Sequence, residues 1–512
     1  MSAAADSPIV DGHLPVGDKG LKAGAIGYLT NIVIGVASTA PAYSLAATLG
    51  FVTAVGGMGV HAPAVLIAAF VPIFLVSLGY KYLNKADPDC GTTFAWTTRA
   101  FGPWIGWING WAIFVADVIV MASLSVIASQ YTFRLFNWDA GANSTGWTIV
   151  GSVVWIALMT WICYRGIELS ARTQQVLLAA ELVILFAFSV VALARASTGI
   201  LGGSIEPRLS WFNPFDLGFG ALADGVLLGI FIYWGWDSGV AVNEESESSA
   251  DGPGRAAVVS TLLLLVTYVL VATAAQAFAG PHFLTANQND VLNALGGKVF
   301  GSPWDKLLII AVLTSASAST QTTILPTART TLSMARWGAT PGVFGRVHSR
   351  FLTPTWSTLG MGALSAVWTA LLVGLDGGPD GNVLGDSITA LGFAVCFYYG
   401  FTGLACAWYY RRELFTSVRH FVLVGLLPLA GGGLMFAIFA KAFNDYSKAG
   451  ANYSQPFLGI QVPLVIGIGG LLLGIPFMVL CAVKFREFFS RKTEVAPAGL
   501  LDAPVEHATD HF

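Results

Sequence analysis

Charge is what this chain has little of: only 11% of its 512 residues are Asp, Glu, Lys or Arg, where soluble domains carry about 25%. With 55% hydrophobic residues and a mean hydropathy of +0.68, the composition excludes an ordinary soluble domain and predicts a polytopic membrane protein. Cysteine is also scarce. The five cysteines (Cys90, Cys163, Cys396, Cys406, Cys481) form no CxxC pair, which leaves a zinc site or a disulfide framework without support. The seven histidines fall in tails, loops or span ends, and no HExxH, GxGxxG or GxxxxGK[ST] stretch is present. Metallohydrolase, dinucleotide and P-loop chemistry therefore have no residues to rest on, and no enzyme, cofactor or metal is expected. Asp87-Pro88-Asp89 reads as a solvated turn. The formal net charge of -3 says nothing about partners, since in a membrane protein the placement of basic residues relative to the spans is what matters; the partners expected are the lipid bilayer and a small molecule, with no nucleic acid and the oligomeric state left open.

Residues 1–22 carry Asp, Gly, Pro, His and Lys ahead of any apolar run, without the apolar core and cleavage site of a signal peptide. They are expected to be a disordered cytoplasmic tail, as are residues 486–512, which lack a lipidation motif. Between them, apolar runs long enough to span a bilayer fall near 24–50, 60–80, 102–132, 145–164, 173–196, 216–246, 255–279, 305–334, 356–375, 384–409, 420–441 and 459–484. That pattern predicts an all-α protein of twelve transmembrane helices. Placing both termini in the cytoplasm leaves only seven basic residues outside (Arg134, Arg195, Arg208, Lys298, Lys306, Lys441, Lys448) and 19 of the 26 inside, the bias that orients membrane proteins.

Two of these runs are interrupted at mid-membrane depth. In the sixth, Phe231 to Glu245, Gly235 and Gly239 flank Asp237, and a carboxylate in hydrocarbon costs about 2.5 to 3.5 kcal/mol on insertion scales. A continuous helix is a poor solution there, so the segment is expected to break around a polar cavity. In the first, Gly35, Ser38, Thr39 and Pro41 lie within one short stretch; Pro41 forbids one intrahelical bond, and Ser38 or Thr39 is placed to cap a new half-helix. Five spans separate the two interruptions. An odd number of spans per repeat inverts the second copy, the pattern of transporters with a midplane binding site.

Three more features are candidates for function. Asp117 lies about two turns past the aromatic entry of span three (Trp107, Trp111) and is read either as functional or as a structural hydrogen-bond partner. Glu181, nine residues from Arg172, sits roughly 13 Å along the fifth span, close to the bilayer centre. With no basic residue within a helical turn, it is read as a proton-coupling group, or else as structural. The hydroxyl-rich Thr314 to Thr323 of span eight permits close helix packing; alternatively Ser319 and Thr320 offer oxygen ligands to sodium.

Four stretches, in order and at these spacings, resemble the amino acid-polyamine-organocation (APC) superfamily of permeases over nearly all of residues 24–485. They are Asp87 to Trp96 with Phe101-Gly102-Pro103 and Gly110-Trp111; Gly166 to Arg172; Phe231 to Glu245; and Ala328 to Pro341 with Arg346-Val347-His348 and Thr353-Pro354. The resemblance implies two inverted five-helix repeats (24–196 and 216–410, broken at helices 1 and 6) plus two extra helices (420–484), in a transporter domain of residues 23–485. It further implies a plasma-membrane secondary transporter moving amino acids or related amines by alternating access, proton-coupled, with sodium symport or exchange as the alternative. A membrane-embedded sensor or enzyme is the remote alternative. By position, the resemblance assigns Ala37, Ser38, Thr39 and Ala40 to a substrate carboxylate and Phe231, Tyr233, Trp234 and Gly235 to its amine, with Phe231 also at an aromatic gate and Asp237 at a pH-linked acid. Two departures stand out. Ser38 to Pro41 replaces a glycine-rich turn, and Glu181 falls where several members carry a lysine that serves proton coupling.

Overall fold

The computed structural model describes residues 19–196, 203–288, 290–375, 382–448 and 454–492. Most of the two expected tails lies outside them. The described end of the first is not a solvated tail: Leu21 is buried against Leu332 and Cys90, because an apolar side chain beside a hydrophobic cluster gains by leaving water.

The described residues are almost entirely helical, and eleven helices are long and apolar enough to cross a membrane. The first is interrupted and consists of α1 (Tyr28–Ser38) and α2 (Pro41–Ala54). Next come α3 (Ala62–Ala86), a short connecting helix α4 (Thr93–Phe101), α5 (Pro103–Leu135), α6 (Thr145–Arg165) and α7 (Ile167–Ala196). The predicted sixth run yields only a short apolar helix, α8 (Phe219–Ile232), followed by a turn and a single-turn helix α9 (Ser238–Ala241). The remainder comprises α10 (Gly252–Ala286), α11 (Val291–Phe300), α12 (Leu307–Arg336), α13 (Thr355–Leu375), α14 (Asn382–Tyr409), α15 (Val418–Tyr446) and α16 (Val462–Lys484).

Proline sets several of the starts, because a first-turn residue needs no N–H partner. Pro41, Pro103, Pro253 and Pro463 all stand in first turns. Some helices run beyond the apolar stretches read from sequence, as does α10, which carries a kink at Gly280 and Pro281 before ending at Ala286. Neither α4 nor α11 is foreseen, since helices of 9 and 10 residues leave no apolar run long enough to span a bilayer.

In the packing, α5 is the most enclosed span and lies against α12 and α14, whereas α16 sits at the rim with most of its surface outward. The interrupted elements α1, α2, α8 and α9 lie within a shell that includes α3, α7, α10, α12 and α14. This places the two breaks, and the polar groups they free, at the centre of the bundle.

Candidate functional site

The first break is made by three residues. Ala40 adopts a left-handed conformation (φ 48, ψ 67) and Pro41 opens α2, because proline cannot continue the bonding of α1 but suits a first turn. The expected cap is not found: Ala40 holds the cap position, and no side chain caps the helix. Thr39 Oγ1 instead donates to the Val36 carbonyl at 2.7 Å, and Ser44 Oγ donates to the Thr39 carbonyl at 2.6 Å. The N–H groups of Thr39 and Ala40 turn back to the carbonyls of Val36 and Ala37, each at 3.2 Å.

The first-turn N–H groups of α2 are taken from outside the helix. Ala42 N donates to Glu181 Oε1 at 2.7 Å, and Tyr43 N donates to Ser315 Oγ at 3.2 Å. Glu181 is fully buried, and its Oε2 has no hydrogen-bond partner. Its place in the fold follows from α7 packing along α1, α10 and α12.

The second break follows Ile232. Gly235 has φ +115, a region that disfavours any side chain, and α9 starts only at Ser238. The freed Ile232 carbonyl accepts from Tyr268 Oη at 2.5 Å, while Tyr233 Oη donates to the Leu66 carbonyl at 3.1 Å. Among the described residues none donates to the carbonyls of Tyr233 and Trp234. Asp237 is buried in a cage of three tyrosines: Tyr399 donates to Oδ1 at 2.8 Å, and Tyr398 and Tyr80 donate to Oδ2 at 3.2 and 3.4 Å. Trp234 Nε1 bonds in turn to Tyr398 Oη.

The two breaks touch. Ser38 Oγ and Ser238 Oγ are 2.7 Å apart, and Ser319 Oγ donates to the Ser38 carbonyl at 2.7 Å. Of the residues singled out from sequence, Ser38, Gly235 and Ser319 therefore meet here, with Ala37, Thr39, Ala40, Tyr233 and Trp234 in the same two turns. Phe231 stands edge-on to Tyr43 with centroids 6.5 Å apart, and with Thr48, Leu227 and Cys396 it lines a cleft of about 50 Å³. Glu181 serves the first break and Asp237 the second. Asp117 accepts from the Thr327 hydroxyl between α5 and α12; it has no hydrogen bond to either break among the described residues but lies within electrostatic reach of Asp237 and Tyr398. Thr320 Oγ1 donates to Ala316 within its own helix at 2.7 Å, so it and Ser319 are committed to different partners.

Sequence reasoning missed the tyrosine cage and the ion pairs that close the end of the bundle near the N-terminal segment. Arg329 and Glu245, both buried, form a two-pronged pair (2.7 and 2.9 Å). Beside it Lys19 reaches Asp89 at 2.9 Å and also bonds Glu244. Burial opposes charge on Asp89, yet Lys19, Ser333 and the Gly91 N–H hold its carboxyl at about 2; burial dominates at Glu244, which is raised. Burial works against the Lys19 charge too, but Asp89, Cys90 and Glu244 together raise it. An Arg late in one apolar run and a Glu pair ending another were the only signals available.

Two interrupted spans in contact, each with unsatisfied or borrowed backbone groups, form a carrier-like centre. The sequence profile of the amino acid permeases matches residues 26–471. The chain belongs to this family. Similar proteins include an uncharacterized transporter of Mycobacterium tuberculosis (28% identical, over 67% of this chain and 73% of that protein). The branched-chain amino acid permease of Lactococcus lactis is 29% identical over 40% of this chain and 46% of its own. The human Asc-type amino acid transporter 1 is 24% identical over 82% and 76%. This permease is thus a multi-pass membrane transporter of the APC superfamily, not an enzyme, and amino acids are the substrates its family implies. The permease carries its own carboxylate, Glu181, at the head of the second half of its first span.

Proposed function

We propose that this permease is a secondary active transporter that moves an amino acid or related amine across the plasma membrane by alternating access, driven by protons. It has twelve spans with both termini cytoplasmic: two inverted repeats of five (24–196 and 216–410) and two further helices (420–484). The sixth span is α8 and α9 with the break between them. The observation that carries this reading is the contact between the α1–α2 and α8–α9 breaks, since interrupted helices in corresponding positions of two repeats mark a midplane substrate site.

Substrate lies at the paired breaks beneath Phe231 and Tyr43. Glu181 and Asp237 are the acids available to exchange a proton, one at each break, and Asp117 serves the packing of α5 on α12. A sodium-coupled form would use Ser319 and Thr320, and their separate commitments favour it less.

Uptake of labelled amino acids and amines into proteoliposomes, under an imposed pH gradient and then a sodium gradient, tests the reading. Accumulation driven by the pH gradient alone supports it. Binding without flux in either condition would make the protein a sensor, and sodium dependence would replace the proton.

A further inference from the structure

The head of a helix in a buried site is an anion receptor, because its first N–H groups lack helical partners and carry the positive end of the dipole. In α2, a helix of 14 residues, this receptor is already occupied. Pro41 has no N–H; Ala42 N is held by Glu181 Oε1 at 2.7 Å; and Tyr43 N is held by Ser315 Oγ at 3.2 Å. Thr39 and Ala40 N–H groups are spent on Val36 and Ala37.

A ligand carboxylate arriving here would have to displace Glu181 from the Ala42 N–H and then sit beside it. Two carboxylates in a dry site repel strongly. Arg329, the one fully buried lysine or arginine among the described residues, is committed to Glu245. A cation meets the reverse situation. Glu181 Oε2 is buried without a partner, and the carbonyls of Tyr233 and Trp234 accept nothing from the described residues. An unpaired buried carboxylate is costly, and an ammonium supplies what it lacks.

We infer that Glu181 is a specificity-determining residue that fills the anion receptor at the head of α2, so that the carried ligand is an amine without a carboxylate. The inference rests on the transport reading above and narrows it from amino acids or amines to amines. Glu181 mimics from within the protein the carboxylate that an amino acid would bring.

Matched pairs on the purified full-length protein test this: leucine against 3-methylbutylamine, phenylalanine against phenethylamine, and lysine against 1,5-diaminopentane, by thermal shift and by uptake into proteoliposomes. At least one amine is expected to stabilise the protein and be taken up, while its parent amino acid does neither at ten times the concentration (about tenfold corresponds to one charge-assisted hydrogen bond). Glu181→Ala, which frees the Ala42 N–H, is expected to gain amino acid binding by about tenfold or more. Glu181→Gln keeps an acceptor on that N–H and is expected to stay closed to amino acids. An amino acid that binds the parent protein as well as its amine overturns the inference and leaves the transport reading standing. Failure of every compound to bind and to move overturns both. Should Glu181→Ala not fold, the paired comparison on the parent protein decides alone.

Discussion

Gly235 backs onto the carbonyl oxygen of Ser38 so closely that a Cβ built on it lies 2.8 Å away. One residue of the second break thus presses on the last turn before the first, and the pair can hold this distance only because one partner has no side chain. The same economy recurs where Gly239 meets the Asn31 carbonyl (2.7 Å) and Gly35 the Trp236 carbonyl (3.0 Å). The breaks are coupled mechanically: a shift of the α8–α9 turn must move the end of α1.

Replacing Gly235 by Ala adds both a backbone that alanine rarely adopts and a clash with the Ser38 carbonyl. Together these cost about 2 to 4 kcal/mol. The expected outcome is a clear fall in thermal midpoint with loss of uptake, against a Gly433→Ala control, where an added Cβ meets nothing within 4 Å. Equal midpoints for the two variants would mean that the contact is not a constraint.

The buried pair of Arg329 and Glu245 joins α12 to the end of the second broken segment. Removing one partner leaves a buried charge uncompensated, which costs about 3 to 5 kcal/mol, whereas removing both does not. Arg329→Met and Glu245→Gln are each expected to lower the thermal midpoint more than the double variant does. A double variant as unstable as the sum of the singles would show that the two residues act independently.

The breaks themselves are legible in the sequence, because Pro41 and the positive φ at Gly235 are local consequences of residue type. The local reading failed at Thr39, whose hydroxyl turns back to Val36 once Ala40 takes the left-handed conformation and so cannot cap α2. Glu181 is recognisable by depth alone; its bond to Ala42, 139 residues away, depends on how α7 packs. Asp237 is likewise visible as a costly acid, but Tyr80, Tyr398 and Tyr399 come from α3 and α14, more than 150 residues distant. Lys19 reads as part of a tail in the sequence, because only the folded bundle brings Asp89 and Glu244 together around it.

That tyrosine cage gives a test of Asp237. In Asp237→Asn the Tyr398 and Tyr80 hydroxyls, which point at Oδ2, must face an amide nitrogen or reverse their role, and the residue can no longer give up a proton. Accumulation driven by a pH gradient is expected to fall about tenfold or more, while exchange of labelled against unlabelled solute persists; a lost charge-assisted hydrogen bond is worth about this much. Tyr399→Phe removes the 2.8 Å donor but no titrating group, and is expected to shift the pH profile of uptake rather than abolish its gradient dependence. Full gradient-driven accumulation in Asp237→Asn would leave Glu181 as the coupling acid.

Lys19 is the cation that holds Asp89 and Glu244, whose carboxylates and the Cys90 thiol lie within 4.8 Å of one another. In the parent protein Asp89, held at about 2, contributes stability above its unfolded value of about 4 that is lost as the pH falls through about 2. Glu244, raised by burial, works in the opposite sense and favours folding as the pH drops. Lys19→Met leaves Asp89 and Glu244 in a largely dry site without the cation bonded to both, beside Asp87, which is already paired with Arg99, so folding must take up a proton that the unfolded chain does not bind. Stability then rises as the pH falls from about 7.5 to 5.5, by about 1.4 kcal/mol for each unit by which a carboxyl is raised across that window. Thermal midpoints at the two pH values are expected to show a larger gain on acidification for Lys19→Met than for the parent. The double variant Lys19→Met with Glu244→Gln, which removes the acid that shared Lys19 with Asp89, is expected to lose most of that extra gain; parallel pH slopes in all three proteins would mean that Lys19 does not neutralise this pair.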